Sequence, residues 1–318
     1  MALKTALAAQ VGLVKEVTYG TYVAPTRFIE FVSESMKQEI DRVESKAIRA
    51  NSRVMRSDDW ASGTKGVSGD VELELWNKSF GLIFELMIGG SAVTTTATGS
   101  MYTHTFTPGD LASATIQAGV PDIGGTVRPF SYTGCMVNEW ELSSTVGDPV
   151  MVKLGVVGQA ETTAQSLASA SYATGLELLT FVGGNLSIAG TGVPVNKVTL
   201  KGNNGLATDR YFLGSANRSQ PLEADLREYS GDFEAEFTDL TAYNRYVNGT
   251  EAALVLTFAG VANPTHKLVV TCNVRFDGET PTVGGTGIVT QPMSFKAVAS
   301  STDASALTLA YSTPDATV

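Results

Sequence analysis

Few residues in this chain are of a type and spacing that does chemistry. It holds two histidines, His104 and His266, and two cysteines, Cys135 and Cys272. It also holds two rows of alternating acids, Asp70/Glu72/Glu74 and Asp232/Glu234/Glu236. An enzyme needs acids, bases or nucleophiles placed on one another. Each histidine is set in strand-like sequence, Tyr102-Thr103-His104-Thr105-Phe106 and Thr265-His266-Lys267-Leu268, and reads as structural. The cysteines have no metal-like spacing around them and read as buried or strand thiols in a reducing compartment. Gly124-Gly125-Thr126 and Gly284-Gly285-Thr286 lack the lysine of a phosphate loop and read as turns. No catalytic residue, metal site or cofactor is expected. The acids remain. On a strand, carboxylates at i and i+2 stand about 6–7 Å apart and point the same way. Such a row is a charged surface. One reading is an ordinary solvated sheet face. The other is that the charge itself matters, because all three acids return in the second row.

The rows belong to a longer match. Ser68-Gly69-Asp70-Val71-Glu72-Leu73-Glu74-Leu75 returns 162 positions later as Ser230-Gly231-Asp232-Phe233-Glu234-Ala235-Glu236-Phe237. Arg56-Ser57 and Arg218-Ser219 keep that shift, as do Thr103-His104 and Thr265-His266. The Gly-Gly-Thr pair follows at a shift of 160. Met136 and Ser143-Ser144-Thr145 return as Met293 and Ser300-Ser301-Thr302 at 157. Ordered matches with small drift indicate a tandem duplication. The organisation expected is an N-terminal arm (1–26), a first domain (27–158), an Ala/Ser/Thr-rich linker (159–175) and a second domain (176–318).

Composition narrows the function. With 43% hydrophobic residues the chain can build real cores. Its net charge of −10 is spread over both halves, so it does not grip nucleic acid by neutralising phosphates. A wall of that sign repels DNA instead. No apolar run reaches the ~18 residues that span a membrane, and Met1-Ala2-Leu3-Lys4 opens no signal-peptide core. Synthesis in a cytoplasm is expected.

Positioning the acids falls to a mostly β architecture. Residues 1–26 are weakly patterned and read as an extended arm. Strand or hairpin sequence over 27–45 leads into a long polar loop, 46–67, carrying Lys46, Arg49, Arg53, Arg56 and Lys65 against Asp58 and Asp59. The Asp70–Trp76 strand follows. Residues 79–88 then read as a short helix closed by Gly89-Gly90, a strand being the alternative. Further strands are expected near 102–107, 130–144 and 149–157. The second half repeats the plan, with strands at 176–182, 193–200, 232–237, 252–259, 267–275, 287–298 and 306–311, and a loop over 209–220. Its helix runs over 239–249, with Asp239 as cap. Each half is mainly β with one flanking α-helix, a sandwich or half-barrel.

This order resembles the tail tube proteins of bacteriophages with long, flexible, non-contractile tails. Tyr19-Gly20-Thr21-Tyr22-Val23-Ala24-Pro25-Thr26-Arg27-Phe28 and Phe31-Val32-Ser33-Glu34-Ser35 are similar to one branch of that family. The resemblance covers nearly the whole chain. It implies a virion protein in which inner strands of six domains close a ring, rings stack into a tube, and DNA passes through. It also implies arms and a long loop that bridge subunits, and tape measure, tail tip and tail terminator proteins as partners. With two domains per chain, three chains would make a ring of approximate sixfold symmetry; six-chain rings are the alternative. The acidic rows would face the channel, while the 46–67 loop and residues 1–26 would contact neighbouring copies. A β-rich receptor-binding protein and a carbohydrate-active β-sandwich enzyme are the competing classes.

Overall fold

The computed structural model of the chain describes residues 3–97, 101–278, 280–283, 285–300 and 305–318. It is mainly β, and its named strands pair antiparallel throughout. The first half holds β1 (Gln10–Lys15), β2 (Arg27–Ile29), β3 (Ser33–Glu34), β4 (Lys37–Glu44), β5 (Trp60–Glu74), α1 (Gly81–Ile88), β6 (Val93–Ala97), β7 (Met101–Phe106), β8 (Ala114–Pro121), β9 (Val127–Thr145), β10 (Met151–Gly158) and β11 (Ala160–Thr162). The second holds β12 (Gly184–Ile188), β13 (Thr191–Val193), β14 (Val195–Asn203), β15 (Glu228–Glu236), α2 (Thr241–Asn248), β16 (Ala252–Ala259), β17 (Lys267–Gly278), β18 (Thr290–Ala297) and β19 (Leu307–Thr313).

The first half is a two-layer sandwich. One layer runs β2–β1–β8–β9–β11, the other β4–β5–β10–β9, with β3 beside β5. Strand β9 serves both layers and turns between them at Gly134, whose φ of +64° suits glycine and where a Cβ would strike the Tyr19 ring at 2.8 Å. Val11, Leu13, Ile29 and Ile116 meet Val71, Leu73, Leu154 and Val156 across the core, with Ile83 and Leu86 of α1 among them. All eight residues of α1 are buried. Its one charge, Glu85, is paired with Lys15 at 2.5 Å.

In the second half β14–β15–β18–β17 runs as one layer, while β12 pairs with β16, β16 with β17, and β17 with β19. The order β4–β5–β10–β9 thus has a counterpart in β14–β15–β18–β17, and β1–β8–β9–β11 one in β12–β16–β17–β19. The β6–β7 hairpin has no counterpart among the described residues; β7 extends the second half's layer by pairing with β19. Asp239 accepts the Thr241 amide at 2.7 Å at the start of α2, and Gly249, in the left-handed region, ends the helix.

Several expectations are corrected. Residues 10–15 are not an arm: Val11 and Leu13 are buried and β1 pairs along its length with β8, sealing an edge with two apolar side chains. Strand β5 begins at Trp60, so the loop spans 45–59 and Lys65 lies in the strand. Residues 176–182 make only single bridges, Leu178 to Trp76 and Thr180 to Pro149, before a turn at Phe181–Gly183. The linker is tied down. Gln117 donates to the Ser166 carbonyl and accepts the Ala168 amide, and β11 pairs with β9.

The later residue matches fall on elements that do not correspond. Thr103-His104 lies in β7, but Thr265-His266 precedes β17. Met136 lies in β9 and Met293 in β18; Gly124-Gly125-Thr126 joins β8 to β9, whereas Gly285-Thr286 lies between β17 and β18. Ser143-Ser144-Thr145 ends β9, and Ser300 follows β18. Gly284, Ser301 and Thr302 lie outside the described residues, as do Met1 and Ala2. The β6–β7 hairpin explains the mismatch. It lengthens the first half after its helix, so shifts of 157–162 no longer join equivalent strands there.

Candidate functional site

Strands β5, β10, β9, β14, β15 and β18 form one continuous sheet through both halves, with β9–β14 as the seam. Alternation gives it one dry and one wet face. Val71, Leu73, Phe233 and Ala235 are buried on the dry face and Phe237 is partly buried. Asp70, Glu72 and Glu74 are half-exposed on the wet face, and Asp232, Glu234 and Glu236 are exposed there. The structure therefore brings both acidic rows onto a single surface.

Antiparallel register lines the wet residues into transverse rows. Glu72, Lys153, Glu141 and Lys201 follow one another across four strands; Asp70, Gly155, Glu139, Asn203 and Glu228 form the next row. Lys153 reaches Asp70 at 3.0 Å, Lys201 reaches Glu141 at 3.6 Å, and Lys296 reaches Glu228 at 2.7 Å. The hydrogen bond that Lys153 donates to Asp70, and then the Asp70 charge, hold the Lys153 ammonium above its usual pKa. Pairing does not neutralise the face. Nine acids (Asp70, Glu72, Glu74, Glu139, Glu141, Glu228, Asp232, Glu234 and Glu236) stand against Lys153, Lys197, Lys201 and Lys296, a net of −5. An open groove of about 490 Å³ crosses the seam between Asp70, Glu139, Lys153 and Lys201. Such a groove is open rather than closed around a small molecule.

The seam is pinned by buried polar groups that the sequence reading missed. Asn204 donates to the carbonyls of Met87 and Val137 at 2.8 and 2.9 Å. Arg218, almost fully buried, donates to those of Val67 and Gly158 at 2.8 and 3.1 Å. Arg227 donates to those of Ile88 and Gly109 at 2.7 and 2.5 Å. All three come from residues 204–227, which fold over the first half. The repeated Arg-Ser pair was the available signal for Arg218. Its counterpart Arg56 behaves differently, binding Asp58 and Asp59 of its own loop at 3.0 Å. Lys46, Arg49 and Arg53 are exposed, as is Asp58, while Asp59 is half-buried; Lys65 contributes backbone pairing to Ala216.

The histidines and cysteines are taken up structurally. His104 is buried, with Thr94 at 2.8 Å and the Asp315 carbonyl at 2.9 Å on its two ring nitrogens. His266 has Glu177 at 2.7 Å on one nitrogen and Asn263 at 3.3 Å on the other. Burial pushes the Cys272 thiol up to about 12 and raises Cys135 further, so neither is a ready nucleophile. Among the described residues no group of His, Cys, Asp and Glu is arranged to hold a metal ion, and no helix is long and apolar enough to cross a membrane.

Comparison with known proteins adds a family. The sequence model of the family described as phage tail tube protein matches residues 6–297. No curated protein matches the chain.

Proposed function

The chain belongs to the phage tail tube protein family, and from that premise we propose that it polymerises as stacked rings whose bore conducts DNA during ejection into the host. The family is structural rather than enzymatic; its members are virion tail components that assemble with themselves into a tube. The finer reading is that each chain supplies two duplicated tube domains, that three chains close a ring of approximate sixfold symmetry, and that the wet sheet face lines the bore. One observation carries it: a sheet whose six central strands run continuously through both halves, net negative on their exposed face. The matching strand orders of the halves support the duplication. A negative wall does not retain a polyanion, so DNA slides. Stacking is a heterologous contact, which propagates.

Negative-stain microscopy of the purified chain tests this. Tubes are expected. Trimeric spikes would favour a receptor-binding role, and monodisperse particles at every concentration would overturn the reading.

A further inference from the structure

The two helices sit at corresponding places in the strand order, yet their surroundings differ. Every residue of α1 is buried and no residue of α2 is. The cover over α1 includes residues 204–227, which Asn204 and Arg227 fasten to its last carbonyls. On α2, Val247 and the neighbouring Leu240 stand open. The connection corresponding to 204–227 is the β4–β5 loop, and it leaves Ile48, Val54 and Met55 exposed. The long sheet also ends in two edges without a strand partner among the described residues. These are the outer side of β3/β4 and the Arg275–Gly278 end of β17.

We propose that the contact between neighbouring copies repeats the contact between the two halves. The β4 edge of one copy pairs antiparallel with the Arg275–Gly278 end of β17 in the next, and its 45–59 loop lies over that copy's α2. The occupant of both surfaces is a second copy of this chain. The proposal rests on the tube reading and deepens it by assigning the residues of the junction.

The seam supplies the register. Glu139 pairs with Asn203 there. Asn203 faces Glu228, and Glu39 faces Gly66, 162 positions before Glu228. Gly155 lies between Asp70 and Glu139, as Ser294 lies between Asp232 and Asp277. Glu39 of one copy therefore faces Asp277 of the next. The amide of Asn204 bonds the Asn138 carbonyl and that of Val146 bonds the Asn196 carbonyl, which makes the intervening odd-numbered pairs the non-hydrogen-bonded ones. Such pairs bring Cα atoms to about 4.5 Å. The like charges of Glu39 and Asp277 are offset by Arg218, whose guanidinium is 3.8 Å from Glu39. Arg56 takes the part of Arg218. It leaves Asp58 and Asp59 for the β15–β18 end of the neighbour, at Tyr229 and Ala297.

Cysteine pairs and an arginine variant in the full chain test the junction. Glu39→Cys with Asp277→Cys should give an interchain disulfide ladder in assembled tubes under oxidation, because about 4.5 Å lies within disulfide reach. Glu44→Cys with Asp277→Cys, displaced by roughly 16 Å along β4, should link at least ~10-fold less. Native Cys135 and Cys272 are buried and stay silent. Arg56→Ala should melt like the wild type yet need at least ~10-fold more protein to assemble. Tubes without in-register links, or with equal out-of-register links, overturn the register and leave the tube reading standing. Normal assembly of Arg56→Ala overturns the loop placement. A wild-type chain that forms no tubes overturns the tube reading itself, and this inference with it.

Discussion

Reversing the charge of the wet face should turn a passage into a trap. Replacing Asp70, Glu72, Glu74, Asp232, Glu234 and Glu236 by Lys changes two charges at each of six positions. The net on that sheet face then moves from −5 to +7 per chain. Each phosphate neutralised contributes about −0.9 to the slope of log affinity against log salt, so six contacts per chain give a slope of roughly −5. The assay is retention of short labelled duplex DNA by assembled tubes over a salt series, with nuclease added to remove DNA on the outside. The six-Lys tubes should hold protected DNA at low salt and release it as salt rises. Wild-type tubes should hold none, and a variant carrying Asn and Gln at the same positions, with a net of +1 on that face, should hold far less than the six-Lys tubes. Lys153 and the acids around it are paired in the native face, so assembly is scored separately by microscopy. Six-Lys tubes that bind no DNA, or bind only nuclease-sensitive DNA, would refute the placement of these acids on the bore.

Other outcomes follow from buried groups. Glu16 accepts the Gly20 and Gly134 amides and the Ser113 and Thr115 hydroxyls at 2.7–3.0 Å; Glu16→Ala strands these donors and should cost about 3 kcal/mol in denaturant unfolding. A Cβ on Gly202 would lie 2.2 Å from the Trp140 indole at the seam, so Gly202→Ala should lose about 1–3 kcal/mol, read by thermal melting. Burial opposes ionisation of Glu177, but hydrogen bonds from His266 and the amides of Asn263 and Ala262 outweigh it and hold the carboxyl below its usual range. Its contribution is therefore present above the unfolded carboxyl's pKa, about 4.3, and is lost as pH falls through the lower folded value. The stability gap between wild type and Glu177→Gln should be full at pH 7 and close in acid; a gap independent of pH would contradict this.

What was legible in the sequence depended on period. The acid/apolar alternation of 70–75 and 232–237 specified strand and faces together, since a one-residue slip would invert every side chain. Ala252–Ala259 was read at its observed limits, and both helices were located by their glycine ends. Strand β8 was missed because all six residues Ala114–Gly119 are buried, leaving no alternation, with Gln117 satisfied by Ser131 and the linker. Strand β1 was missed because Gly12 interrupts its few apolar residues, Val11, Leu13 and Val14, and leaves no clean alternation. The wet face as one surface was not legible at all. It depends on the β9–β14 pairing, and on Arg218 and Asn204 finding carbonyls more than fifty residues away. Long-range satisfaction of that kind leaves no local pattern.

The central claim is that two acidic rows of each chain face the bore of a ring built from three chains. Helical reconstruction of assembled tubes by electron microscopy tests it most directly, counting chains per ring and placing the wet face of β5 and β15. Three chains per ring, with Asp70 and Asp232 both facing the channel, are expected. Six chains per ring, or these acids on the outer surface, would contradict it.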